Sequence, residues 1–462
     1  MSNSISSLIH VQKTLSTGAT VLVLNDGAII TSEDRAMIQA LHSRSPKGIL
    51  EHLKTLADKG SGNMMASFYV GYGHKSIGDC GSSTLFIENV SMLAAKAIQD
   101  SQLYNGQECS TRYIDYSTQP FFNPFESDKL APSILTNKLR DFYIESLPVV
   151  ISQLKTKHPK QETETQTTYN KAIKARAFDI LRGFLPAGAT TNVAWTTTLR
   201  QIADRLVFLR NHPLEEVRIL AQGIQDAVSE MYPNSFGQKR YEQTESFVSQ
   251  YMAQDYFVDS QYDSKVNDLD KVNCINDGIN TSMLPLSLLE LLKNRPAKTE
   301  IPKSIGVCGT STFQFSLDFG SWRDIQRHRA VVQLMPLLTC RIGFESWYYD
   351  NLPASIQPIA KKLLREVTEQ IELLSGDMDS KLMAQYLIPM GYKVPVILSG
   401  DLPALTYLVE IRASKMVHAT LQSKAIELGK ILIQKYQLPV YFEDNEVGAF
   451  DSKRGKEDIE ER

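Results

Sequence analysis

The chain has few of the features that would mark a special environment. Its five cysteines, Cys80, Cys109, Cys274, Cys308 and Cys340, are odd in number and include no CxxC spacing, so neither a disulfide framework nor a zinc knuckle is expected. There is no excess of basic charge: 49 Lys and Arg against 52 Asp and Glu give a formal net charge of −3. Bulk attraction to nucleic acid or acidic lipid is therefore not expected, although a local basic pocket for a small anion remains open. No run of about eighteen apolar residues is present, nor a basic stretch followed by an apolar core at the N-terminus. Membrane insertion and export are not expected, and a cytoplasmic protein with free thiols fits best.

What is there is a repetition. Lys75-Ser76-Ile77-Gly78-Asp79-Cys80-Gly81-Ser82-Ser83-Thr84 returns as Lys303-Ser304-Ile305-Gly306-Val307-Cys308-Gly309-Thr310-Ser311-Thr312, identical at eight of ten positions with a ninth exchanging Ser for Thr. The two begin 228 residues apart, a domain-sized offset rather than a solenoid period. We read the 462 residues as two fused copies of one α+β unit, each with a mixed or antiparallel sheet flanked by helices.

The divisions follow from pattern. Residues 1–35 form a lead-in with a strand at Val21-Leu22-Val23-Leu24, 36–235 the first repeat, 236–300 a connecting segment with loop around 255–270, 301–446 the second repeat, and 447–462 a charged, disordered tail. In the first repeat a helical spacing from Ser32 to Lys59 stops at Gly60-Ser61-Gly62, Leu85-Phe86-Ile87 reads as strand, and Asn89 is placed to cap a helix through Ala97. In the second, Thr312 to Leu317 alternates as a half-buried strand and a helix runs from Trp322 to Gln333. Leu185-Pro186-Ala187-Gly188 and Ile388-Pro389-Met390-Gly391 open matching helical endings.

Two segments carry residues suited to chemistry. Glu108, Ser110 and Arg112 alternate within Asn105–Tyr113, which in an extended chain places them on one side. A guanidinium fork beside a hydroxyl suits a phosphate oxygen or uracil carbonyl, while an ion-paired surface strand explains the same residues. Arg327-His328-Arg329 is expected on a helix, where the two arginines point in different directions and grip separate parts of a polyanion. A basic turn at a helix C-terminus is the plainer reading.

In order and spacing, these segments resemble the flavin-dependent thymidylate synthases. The first repeat carries Gly73-His74-Lys75-Ser76, then Gln107-Glu108-Cys109-Ser110-Thr111-Arg112-Tyr113, Leu185-Pro186 through Trp195, Leu209-Arg210 and Glu216-Val217-Arg218. It has Asp100-Ser101-Gln102 where the family has Arg-His-Arg, and Asn192 where the family usually has an arginine. The second repeat has the triplet, but Leu334 to Cys340 replaces the nucleotide loop and Pro302 replaces His74.

The resemblance implies FAD-dependent methylation of dUMP to dTMP with methylenetetrahydrofolate and NADPH, in composite sites fed by both repeats. It implies that Glu108, Ser110, Arg112 and Arg218 bind dUMP, with Ser110 and Arg218 at the reacting pyrimidine. His74, Ser76, Arg210, Arg327, His328, Arg329 and Arg412 would surround FAD, and no metal is involved. A homodimer of the fused chain would equal the family's tetramer. The alternative is a diverged relative that modifies another pyrimidine nucleotide, or binds flavin or nucleotide without turnover.

Overall fold

The computed structural model describes residues 10–24, 30–112, 114–125, 130–256, 268–297, 299–442 and 446–453. They cluster into two compact units. The first comprises 1–109 and 190–255, the second 110–189 and 256–462. Residues 110–189, which fall in the first repeat by sequence, thus pack with the second unit.

The first unit is built on a five-stranded sheet of β1 His10–Thr14, β2 Thr20–Leu24, β3 Ser82–Ser91, β4 Asn105–Glu108 and β5 Thr190–Thr198, in the spatial order β1-β2-β3-β5-β4. All pairings are antiparallel. Leu85 and Ile87 of β3 and Val193 and Trp195 of β5 are buried, the period-two pattern of a strand whose one face meets a core. The helix Glu215–Met231 packs on β1 and β2 with Val217, Leu220, Ile224 and Val228 inward. Residues 10–24, expected as a lead-in, are therefore two strands of this sheet. The helix expected over 32–59 is two, Ser32–His42 and Ile49–Lys59, and the second ends at Gly60 with φ +64° as foreseen. Asn89 is not the cap of the next helix. It sits at φ +59° in a β-bulge with its amide on the Gly18 carbonyl, and Ser91 caps Met92–Gln99 by accepting from the Ala94 amide at 3.0 Å.

The second unit has a four-stranded antiparallel sheet of β6 Asn273–Asp277, β7 Thr310–Asp318, β8 Val332–Leu334 and β9 Lys393–Asp401, ordered β6-β7-β9-β8. This is the order β2-β3-β5-β4 repeated, without a counterpart of β1. Helices Phe319–Ile325, Leu402–Arg412 and Ala419–Tyr436 follow their strands as Met92–Gln99, Leu199–Leu209 and Glu215–Met231 do in the first unit. The second unit also holds the paired helices Leu130–Lys157 and Gln166–Leu181, with Gln357–Leu374 against the former. The connecting segment supplies β6 and the helices Glu242–Tyr256 and Leu286–Lys293, while the loop expected around 255–270 lies largely outside the described residues. Residues 447–453 are not a loose tail: the Gly448 amide donates to Gln422 at 2.8 Å, Arg176 donates to the Gly448 carbonyl at 2.7 Å and Asp451 pairs with Lys415 at 2.9 Å. The rest of the expected tail, 454–462, lies outside the described residues.

The repeated ten-residue motif has a structural cause in each unit. The hydroxyls of Ser83 and Ser311 bond the phenols of Tyr232 and Tyr436 at 2.9 and 2.6 Å, closing the last helix of each copy onto its central strand. Thr84 pairs with Thr196, and Thr312 with Ser399, each at 3.0 Å across equivalent strands. A side chain at Gly81 would meet the Ser32 carbonyl oxygen at 2.5 Å, and one at Gly309, where φ is +111°, the Gly278 carbonyl oxygen at 2.2 Å.

A second signature of duplication lies within the second unit. Segments 183–188 and 386–391, offset by 203 residues, run antiparallel about the bridge between Pro186 and Pro389. Ala187 donates to Ile388 and Met390 to Leu185, while Gly188 donates to Tyr386 and Gly391 to Gly183, all at 2.8 Å. Each bond is the mate of another under exchange of the copies, as in an isologous dimer contact.

Candidate functional site

The predicted site residues fall into two sets. His74, Ser76, Glu108, Arg210 and Arg218 are in the first unit, and Ser110, Arg112, Arg327, His328, Arg329 and Arg412 are in the second.

In the second unit, Asp318 caps the helix Phe319–Ile325 by accepting from the Ser321 amide at 2.9 Å. The helix ends before the basic triplet. Arg327-His328-Arg329 therefore occupies the following turn and not a helix. The side-chain amide of Gln333 holds that turn, donating to the Ile325 and His328 carbonyls at 2.9 Å each. Arg327 and Arg329 are exposed, and His328 is 7% exposed. The Arg412 Nε–H donates to His328 Nε2 at 2.7 Å, and Arg412 Nη1 lies 3.9 Å from Asp324. Burial, helped by the charges of Arg412 and Arg327, pushes the His328 imidazole down to about 3. Burial would raise the Asp324 carboxyl, but Arg412, Arg182, Arg327 and Arg112 together hold it below the usual range.

Arg112 joins this cluster by way of a segment that is not extended. β4 stops at Glu108, and the Arg112 amide turns back onto Ser110 Oγ at 3.3 Å, so the alternation of Glu108, Ser110 and Arg112 does not persist. Arg112 grips buried Asp179 through Nε at 2.7 Å and Nη2 at 3.2 Å, and Nη1 donates to the Met416 carbonyl at 2.9 Å. Behind it, His418 Nε2 lies 3.3 Å from the Asp179 carbonyl oxygen, and fully buried Arg182 donates to Ser321 at 2.7 Å and to Tyr348 at 3.3 Å. The second unit thus gathers Arg112, from the first sequence repeat, with Arg327, His328 and Arg412 from the second. Asp324 has a weak sequence signal, three residues before Arg327; Asp179 has none, being 67 residues from Arg112.

In the first unit Glu108, Arg210 and Arg218 have protein partners. Glu108 accepts from Gln99 at 2.7 Å. Arg210 pairs bidentately with Glu245, Nε at 2.8 Å, and that contact holds the Glu245 carboxyl low. Arg218 donates to the carbonyls of His212 and Pro213 at 2.8 and 2.7 Å. His74 is exposed at the N-terminus of a short helix, Lys75–Gly78, with Phe68 and Tyr72 rings about it at 6.0 and 6.1 Å, and Ser76 is exposed two residues on. At the counterpart of the basic turn, Asp100 caps the C-terminus of Met92–Gln99. Ala97 and Leu209 stand where the second unit has Asp324 and Arg412. Buried Arg205 donates there to the Ala97 carbonyl at 2.6 Å.

The buried imidazoles set a pH dependence. His328, and His418 through burial first and then Arg182, have folded values below the unfolded 6.5. A depressed value means that only the unfolded chain takes up the proton as pH falls, so the stability is complete above pH 6.5 and is lost below it. His328 alone costs about 2 kcal/mol at pH 5, at roughly 1.4 kcal/mol per pH unit, and His418 acts in the same direction. The melting temperature should fall between pH 7 and 5, and His328→Gln should flatten the fall. An unchanged melting temperature over that range contradicts the burial of neutral histidines.

No helix among the described residues is long and apolar enough to cross a membrane. Residues 29–234 match the profile of the thymidylate synthase complementing proteins. A UPF0159 protein of Chlamydia muridarum is 25% identical over 418 residues, covering 79% of this chain and 77% of the relative. A UPF0159 protein of Chlamydia pneumoniae is 24% identical over 440 residues, 84% and 82% of the two chains. A UPF0159 protein of Thermoplasma acidophilum is 21% identical over 462 residues, 86% and 91%. These similarities extend beyond residues 29–234, into the second repeat. The family likeness thus lies in residues 29–234, a little under half of the chain, which are similar to the thymidylate synthase complementing proteins.

Proposed function

We propose that the protein binds FAD and dUMP and methylates dUMP to dTMP with methylenetetrahydrofolate and NADPH, using one site per chain centred on the arginines of the second unit. The observation that carries the reading is the electrostatic coupling of Arg112, Arg327 and Arg412 around Asp324. Cations outnumber the carboxylates that face them, and such a cluster suits phosphate groups. The buried His328 Nδ1 without a partner and the exposed Arg327 and Arg329 are the donor set expected for a dinucleotide's diphosphate, so the residues fit FAD.

In this reading Arg327 and Arg329 hold the FAD phosphates, with His328 and Arg412 behind them. Arg112 and Ser110 hold the nucleotide, with Ser110 at the pyrimidine. The chemistry that FAD would supply when bound here is the hydride that turns the transferred methylene into a methyl group at C5, NADPH being the source of its electrons. The first unit, with Asp100-Ser101-Gln102 at the equivalent turn, adds no second site. The working form is a homodimer in the cytoplasm.

The contacts of Arg112 with Asp179 and of Arg210 with Glu245 favour a second reading, a flavin- or nucleotide-binding relative without turnover or with another pyrimidine nucleotide as substrate. Titration with FAD and dUMP, followed by an assay for dTMP, separates the two. The proposal expects about one FAD per chain and dTMP formation dependent on NADPH. Binding without dTMP establishes the second reading, absence of flavin binding overturns the first, and failure to bind either FAD or dUMP overturns both.

A further inference from the structure

The His328 ring is satisfied at one nitrogen only. Its Nε2 receives the Arg412 Nε–H at 2.7 Å, and its Nδ1 is buried without a hydrogen-bond partner. Arginine has donors and no acceptor, so Nε2 must carry a lone pair. A neutral ring then has its proton on Nδ1, and a cationic ring would set Nε2–H against the arginine's own N–H. The ring is steadied on its other sides. Tyr407 packs at 5.8 Å between centroids, and Gln333 pins the His328 carbonyl at 2.9 Å. An N–H buried without an acceptor costs on the order of 1–3 kcal/mol, and such groups are rare in folded proteins unless they await a partner.

We propose that Arg412 is a positioning residue that fixes His328 as the Nδ1–H tautomer, reserving that N–H as a donor to an acceptor oxygen, carbonyl or phosphate, of the bound ligand. The identity of the ligand rests on the function proposed above; the tautomer does not. Three charged groups face the ring, Arg412 from the helix Leu402–Arg412, Asp324 from the helix Phe319–Ile325 and Arg327 from the turn itself. Asp324 lies 3.9 Å from Arg412 and keeps the arginine in place beside the imidazole. The first unit has neither part of the device, with Ser101 and Leu209 at the equivalent positions.

The test is two-bond proton–nitrogen correlation on full-length protein labelled with nitrogen-15 in its eight histidines, His328 being assigned by the signals lost in His328→Gln. The proposal expects the Nδ1–H pattern at pH 7, unchanged down to pH 5.5. Arg412→Gln, whose amide donates to Nε2 without a charge, should keep the pattern. Arg412→Leu should allow the Nε2–H form to grow. An Nε2–H or cationic ring in the unmodified protein, or an unchanged tautomer in folded Arg412→Leu, overturns the lock. If Arg412→Leu does not fold, the unmodified protein and Arg412→Gln decide the point. Addition of FAD or dUMP should move the Nδ1–H proton downfield. Bound FAD and bound dUMP that both leave it unmoved refute the reserved donor, whereas failure of both to bind refutes the proposed function and leaves the tautomer result standing.

Discussion

Asp179→Asn is expected to destabilise the second unit by about 3–5 kcal/mol, the range for removing one partner of a buried ion pair and leaving the other charged. Asp179 is fully buried, and two of the Arg112 nitrogens end on it. An amide would preserve shape, but it cannot neutralise the guanidinium. The double variant Asp179→Asn with Arg112→Met removes the stranded charge as well. It should recover more than half of the loss, because residues in direct contact are not additive. Chemical denaturation of the four proteins measures this directly. A single variant within 1 kcal/mol of the unmodified protein would mean that the pair is solvated and that Arg112 is not held for a ligand by a fixed partner.

Replacing Arg327 and Arg329 together by Ala should abolish retention of flavin. A charge-assisted hydrogen bond contributes about 1.5–3 kcal/mol, so two lost contacts correspond to roughly 10²- to 10⁴-fold in affinity. Both side chains are exposed, and little change in stability should accompany the loss. Flavin absorbance of the purified variant, with and without added FAD, reads the outcome. Unchanged absorbance would make the triplet a solvated basic turn at a helix C-terminus, which the dipole alone favours.

The sequence made some of this legible. The run Leu85-Phe86-Ile87 and the alternation from Thr312 to Leu317 placed both central strands, but the second is not half-buried: Gln314 and Ser316 are as covered as Phe313 and Phe315, so both of its faces are packed. The ten-residue repeat announced duplication correctly, but Ser83, Ser311 and the glycines about them are scaffold, bonded to Tyr232 and Tyr436 and set in close backbone approaches. Asn89 and Ser91 are both good caps by type, and only the bulge in β3, a tertiary feature, decides between them. The triplet left the helix because Gln333, from the next strand, takes the terminal carbonyls. Arg112 was legible as an anion-binding type, whereas its partner Asp179 lies on a helix whose spacing gives no hint of the pairing. Residues distant in sequence that meet through packing leave no local pattern to read.

If Arg112 and Arg327, from different repeats, serve one site within one chain, chains that each lack one of them cannot rescue one another. Co-expression of Arg112→Ala and Arg327→Ala chains, each inactive alone, followed by assay of dTMP formation with methylenetetrahydrofolate and NADPH, tests it most directly, with either variant co-expressed with unmodified chains as the control. No recovery is expected in the mixed variants, and activity is expected in the controls. Recovery of a substantial fraction of activity in the mixed variants would place the two residues in sites shared between chains and contradict a site within one chain.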